Sequence, residues 1–174
     1  MEKAWEVAGE IVVAIGLRDD PSLYEGILPK GVRVVRDEIE GVGPLAGMQS
    51  GLREVASEYT FILPCDSPFL NPEALRYIAE RGSRVDAAIP KWPNGFIEPL
   101  HSIYRVSPTL SATEEALRRG EARIFDVIKR LERKIYISVE RIKGFDRELL
   151  TFFNVNSHEE LRAAEKFLKT RGRG

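Results

Sequence analysis

Apolar residues along the chain fall into short dense runs separated by stretches with helical spacing. Ile11-Val12-Val13-Ala14-Ile15 is apolar at every position, the pattern of a strand covered on both faces of a parallel sheet. Val32-Arg33-Val34-Val35 predicts a second, shorter strand, with Asp37 just beyond its end. Tyr59-Thr60-Phe61-Ile62-Leu63 runs straight into Pro64, so a third, buried strand is expected to stop there. Val85 to Ile89, closed by Pro90, gives another, and Lys134 to Val139 alternates as a half-exposed strand does. Leu100 to Tyr104 and Leu150-Thr151-Phe152-Phe153 complete the set of expected strands.

Between these runs the spacing is helical. Residues 1 to 9 read as the last turns of an amphipathic helix, with Gly9 to end it. Gly16 to Lys30 reads as loop with a helical turn around Ser22 to Glu25. Met48 to Ala56 predicts a helix, and Pro44 ahead of it suits a first helical position. Asn71 is a good cap for a helix reaching Arg81, with Pro72 opening it. Helices over Thr109 to Arg119 and Ile124 to Arg133 flank Gly120. Ser157 and Glu160 form a capping box for a last helix with Leu161, Ala164, Phe167 and Leu168 on its apolar face. Lys169 to Gly174 is expected to be frayed. Strands alternating with helices predict a three-layer α/β/α fold on a mainly parallel sheet, in a single domain spanning residues 1–174.

Composition narrows the class. The 174 residues are 43% hydrophobic and 30% charged, which describes a globular chain with a sizeable core. A net charge of −1 offers no bulk attraction to nucleic acid or an anionic membrane, and no apolar run is long enough to span a bilayer. Cys65 is the only cysteine, so no internal disulfide forms and a cytoplasmic, reducing setting is expected.

Asp66 is the main candidate for chemistry. It lies just past an expected strand end, where open α/β sheets bind ligands. A magnesium ion commonly takes one or two carboxylates, with waters and substrate phosphates filling its remaining positions. Asp-Ser-Pro is also ordinary turn chemistry, so the residue has a structural reading too. Gly43-Pro44-Leu45-Ala46-Gly47 has the composition of a loop feeding a helix start, although it lacks the Lys-Ser/Thr of a nucleotide P-loop. Asn154 and Asn156, spaced by two, point the same way if extended. His101 reads as a core histidine and Cys65 as a small buried residue. The order of Asp37, Gly43 to Gly47, Asp66 and the asparagine pair at strand ends and helix starts is more informative than any one of them.

Together the segments Gly43-Pro44-Leu45-Ala46-Gly47-Met48, Leu63-Pro64-Cys65-Asp66-Ser67-Pro68-Phe69-Leu70 and Phe153-Asn154-Val155-Asn156-Ser157 resemble the molybdenum cofactor guanylyltransferase family, the MobA-like nucleotidyltransferases. Pro99-Leu100-His101 and Gly120-Glu121-Ala122-Arg123 fall where that family has comparable stretches. The resemblance implies a Rossmann-like fold of the nucleotide-diphospho-sugar-transferase type. It also implies transfer of GMP from GTP to molybdopterin, giving the guanine dinucleotide and pyrophosphate. By it Asp66 is the magnesium ligand, Asp37 lies in the nucleotide site, and Gly43, Pro44, Leu45 and Gly47 shape the wall beside the nucleotide. Asn154 and Asn156 then belong to the catalytic rim. Expected partners are GTP, molybdopterin and molybdoenzyme-maturation proteins.

The chain departs from the family in one respect. The family opens with a strand and a Leu-Ala-Gly-Gly loop carrying Arg and then Lys, which bind the triphosphate, and neither is present here. The domain is therefore expected to be N-terminally truncated, with Met1 an internal start. Open alternatives are a related transferase using CTP or another phosphate acceptor, a non-catalytic pterin- or partner-binding protein, and an inactive fragment.

Overall fold

A computed structural model describes residues 1–171. The strands are β1 (Val12–Ile15), β2 (Arg33–Arg36), β3 (Tyr59–Ile62), β4 (Ala87–Lys91), β5 (Ser102–Arg105) and β6 (Lys134–Ser138). The α-helices are α1 (Glu2–Trp5), α2 (Pro44–Glu54), α3 (Pro72–Gly82), α4 (Val106–Arg118), α5 (Ile124–Arg130), α6 (Val139–Ile142) and α7 (His158–Arg171). Residues 172–174 of the tail expected to fray lie outside the described residues, and α7 reaches Arg171.

The strands form two sheets. β1 and β2 pair in parallel, and the larger sheet has the order β3-β5-β4-β6. Within it β4 and β6 are parallel, and β5 runs antiparallel to both β3 and β4. Apart from β5, every strand runs the same way as the others in its sheet, so the mainly parallel reading holds. Side chains alternate along β4 and β5 to two separate cores. Ala87, Ile89 and Tyr104 pack with Leu45, Met48 and Leu52 of α2 and with residues of α4 and α5. Ala88 and Ile103 pack on the opposite face with Ala74 and Ile78 of α3 and with Val139 and Ile142 of α6. A sheet apolar on both faces needs helices on both, which gives the three layers.

One consequence of the pairing shapes the molecule. β1 has only β2 as neighbour and β3 has only β5, so each sheet ends in an unpaired edge among the described residues. β1 is apolar along its length and β3 at all positions but Thr60, yet both are mostly only half-buried.

Several expectations are corrected. The helix expected from Met48 starts at Pro44, because Gly43 adopts φ 55°, a turn only glycine makes easily, and delivers Pro44 to the first helical position. Leu150-Thr151-Phe152-Phe153 is not a strand: Leu150–Phe152 forms a 3-10 turn. The buried Asp146 carboxylate accepts from Thr151 N at 2.8 Å, and Thr151 Oγ1 accepts from Asn71 N at 3.1 Å, so tertiary bonds override strand propensity. Val139 opens α6 because Ser138 Oγ caps it, accepting from Glu140 N at 3.3 Å. At the amino end only Glu2–Trp5 is helical. In α7 Ala164 is buried and Phe167 meets Phe69 edge-on at 5.1 Å, whereas Leu161 and Leu168 are exposed. Half of the expected capping box forms, with Ser157 Oγ accepting from Glu160 N, while Glu160 Oε2 accepts from Asn156 N, one residue before the cap.

Candidate active site

The segment after β3 carries the first cluster. β3 stops at Ile62 and the chain turns through Pro64 to Ser67, leaving Cys65 and Asp66 exposed. Cys65 is thus not the buried residue expected, since it belongs to the turn and not to the strand. The Asp66 carboxylate makes no hydrogen bond or ion pair with other described residues, while its backbone oxygen accepts from Val155 N at 2.9 Å. That bond holds the 154–156 segment against the strand end. Ser67 Oγ donates to Asn154 Oδ1 at 2.6 Å and lies 3.0 Å from His101 Nε2. Asp66, Asn154 and His101, distant in sequence, are therefore brought to one place. Asn156 is exposed two residues further on.

His101 is 1% exposed and meets Phe152 edge-on at 5.3 Å. Burial pushes its pKa down to about 4, only partly offset by the polar backbone of Thr151, so the ring is neutral at pH 7. Sequence offers no acid to pair with it, but Glu98 Oε2 lies 3.9 Å from Nδ1. Burial raises the Glu98 carboxyl, against a 2.6 Å bond from the Trp92 indole N–H.

A second cluster surrounds Asp37, at the carboxyl ends of β1 and β2. Its backbone N donates to Ile15 O at 2.8 Å, and Ser50 Oγ of α2 donates to its Oδ1 at 2.8 Å. A cleft of about 370 Å³ opens here, lined by Gly16 to Asp19, Asp37, Ile39 to Gly41, Gly43 and Ala46. Gly47 lets α2 lie close: a Cβ there would come 3.3 Å from that of Ala14 and 3.8 Å from Asp37 Oδ1. Leu45 does not face the cleft, because its side chain is fully buried in the core. Pro44 starts the helix beside the cleft, and of the expected wall only Gly43 lines it directly.

Asp66 and Asn154 lie together as expected, but the sequence did not show Ser67 and His101 as the link between them. The signal available was Ser67's position between Asp66 and Pro68, read there only as turn chemistry. The Gly16 to Asp19 loop of the second cluster was likewise read as connection alone.

Residues 2–134 fit the family model of the MobA-like NTP transferase domain. The chain belongs to that family. A probable molybdenum cofactor guanylyltransferase of Methanosarcina mazei is 33% identical over 168 residues, covering 92% of this chain and 73% of the relative. One of Pyrococcus furiosus, with the same description, is 32% identical over 171 residues, covering 97% of this chain and 81% of the relative. Among solved structures, the molybdopterin-guanine dinucleotide biosynthesis protein A of Archaeoglobus fulgidus superposes with a TM-score of 0.72 at 29% identity, covering 90% of this chain and 78% of that one. The 2-C-methyl-D-erythritol 4-phosphate cytidylyltransferase of Thermus thermophilus, at 18% identity and a TM-score of 0.67, shares the fold. This is a nucleotidyltransferase family with the expected α/β architecture. No described helix is long and apolar enough to cross a membrane.

Proposed function

We propose that this domain transfers GMP from GTP to the phosphate of molybdopterin, with Asp66 holding a magnesium ion. An oxygen of the acceptor phosphate bonds to the α-phosphorus as the bond to the bridging oxygen breaks, and pyrophosphate departs. The observation that carries the reading is Asp66 itself, an exposed carboxylate with no partner of its own beside Asn154, in a chain of this family. An oxygen donor of this kind suits magnesium. Among the described residues no cluster of three or more His, Cys, Asp or Glu forms a cage, which fits an ion held by one carboxylate with water and phosphate oxygens. Bound there, the ion supplies charge neutralisation at the phosphates. The chain's own contribution is placement: the Asp37 cleft receives the nucleotide, and the Asn154 rim orients the phosphates. Acceptors of maturation type, molybdoenzymes and their assembly proteins, would receive the product.

The catalytic unit in this reading also uses a strand and phosphate-binding loop seated between β1 and β3. The unpaired edges of those two strands support it, because one added strand would join the sheets.

The test uses GTP, CTP, magnesium and molybdopterin with product detection, on the 174-residue chain and on a form extended by such a strand and loop. The expected result is guanine dinucleotide from the extended form, abolished by Asp66→Ala. Product from CTP alone would replace the nucleotide assignment, and full turnover by Asp66→Ala would remove the metal role. Tight GTP·Mg binding by the unextended chain would refute the need for the added strand.

A further inference from the structure

The buried pair His101 and Ser67 does more than pack. The Ser67 hydroxyl has one hydrogen, and it is directed to Asn154 Oδ1 at 2.6 Å. Toward His101 Nε2, 3.0 Å away, the same oxygen can then only accept. With the Asn154 amide oxygen facing Ser67, the ring hydrogen is on Nε2. A neutral imidazole carries one ring hydrogen, which leaves Nδ1 bare, and Nδ1 is a buried atom without a hydrogen-bond partner among the described residues. The chain of bonds thus has a direction: Nε2–H to Ser67, Ser67 O–H to Asn154 Oδ1.

We propose that His101 and Ser67 are positioning residues that lock the Asn154 amide with its oxygen turned into the protein and its Nδ2 hydrogens left for an anionic ligand. This rests on the reading of the Asp66 site as a phosphate site. The direction matters because the amide has two unlike ends. With the proton on Nδ1 the chain reverses, Ser67 donates to Nε2, and Asn154 must turn Nδ2 toward Ser67. Its oxygen lone pairs would then face the ligand, repelling phosphate where the first arrangement donates to it. A bare Nδ1 near the Glu98 carboxyl, with the Thr151 backbone acceptor also close to the ring, is the cost of keeping the donor end outward. Asn154 Nδ2 makes no hydrogen bond to other described residues, so its donors remain for a ligand.

The direct test is the imidazole ¹H–¹⁵N spectrum of the full chain, which has two histidines. His158 is exposed, and His158→Gln assigns its signals. The expected spectrum shows His101 as the neutral Nε2–H tautomer, and an Nδ1–H tautomer overturns the proposal. The functional arm compares His101→Leu, His101→Gln and Ser67→Ala in an active form of the enzyme. His101→Leu and Ser67→Ala are expected to lower kcat roughly tenfold or more with KM for the acceptor little changed, and His101→Gln, which keeps an N–H donor, to recover most of it. In an Asn154→Ala background the same substitutions should have no further effect on kcat. Equal losses in both backgrounds would show that the pair does not act through Asn154. A chain with no turnover of any nucleotide counts against the proposed reaction, and the tautomer then decides this inference alone.

Discussion

Adding one methyl group at Gly82, and the same group at Gly51, separates close packing from helix propensity. Gly82 is the last residue of α3, where the helix lies on the larger sheet. A Cβ there would overlap Ile103 Cγ2 of β5 and come 3.4 Å from Ala88 Cβ of β4. Ile103 is 7% exposed and β-branched, so it has little freedom to turn aside. Overpacking of this kind costs about 1–3 kcal/mol, against a gain of at most about 1 kcal/mol for replacing glycine by alanine in a helix. Gly82→Ala should therefore destabilise by about 1–2 kcal/mol. Gly51 lies inside α2 with nothing within 4 Å of its would-be Cβ, so Gly51→Ala should stabilise by about 0.5–1 kcal/mol. For a chain of this length each kcal/mol moves Tm by about 2–4 °C, which separates the two variants by roughly 5–10 °C. Thermal unfolding followed by circular dichroism measures this directly. If both variants rise in Tm, the contact of α3 with β5 is looser than described and the reasoning fails.

Three further outcomes follow from single residues. Asp66→Ala should leave stability within about 0.5 kcal/mol of the parent in urea unfolding, because the exposed carboxylate has no partner to lose, while abolishing turnover. Asn71→Ala should cost about 1–2 kcal/mol in the same assay, since the Asn71 side chain caps α3 at Glu73 N and Ala74 N and also donates to Phe145 O. The neutral, buried His101 makes stability depend on pH. Its folded pKa of about 4 is below the ordinary value of 6.5, so between them the unfolded chain binds more protons. Its contribution is complete above about pH 6.5 and falls as the pH drops toward 4, by at most about 1.4 kcal/mol per unit. His101→Gln should flatten that slope, and an unchanged slope between pH 7 and 5 would contradict the buried neutral ring.

Much of this molecule was legible because short apolar runs and Pro or Gly punctuation carry direct physical meaning. The apolar runs at Ile11 to Ile15 and Val85 to Ile89 yield β1 (Val12–Ile15) and β4 (Ala87–Lys91), although β4 begins two residues later than expected and continues through Pro90. Asp66 and Asn154 were legible as candidates because both follow expected strand ends, although the run before Asn154 is a 3-10 turn. The Ser67 to His101 bond spans 34 positions and the Ser67 to Asn154 bond 87, and no local pattern encodes partners so far apart. Leu150 to Phe152 misleads for a related reason: its shape is imposed by Asp146 and Asn71, not by its own side chains. Leu45 was read with its glycine neighbours, but helical phase turns it inward, and that phase depends on the helix starting at Pro44. The antiparallel course of β5 follows from the tight turn at Trp92 to Phe96, where Trp92 N donates to Phe96 O at 2.8 Å and returns the chain beside β4.

The seam between the two sheets has unequal ends. At the amino ends of β1 and β3 it is pinned: the Glu10 carboxylate accepts from Ala56 N at 3.0 Å, Ser57 N at 2.9 Å and Ser57 Oγ at 2.7 Å. Along one flank α2 bridges it, with Leu45, Met48 and Leu52 in the core shared with α4 and with Arg53 joined to both Glu38 and Glu114. Among the described residues no strand ladder crosses it at either end, and at the carboxyl ends lie the Asp37 cleft and Asp66. The small sheet is thus anchored at Glu10 and along α2, and a slight tilt about the Glu10 end would move the Asp37 cleft most relative to Asp66. Hydrogen exchange should divide accordingly, with β1 and β2 opening as a unit of lower protection than β4 and β6.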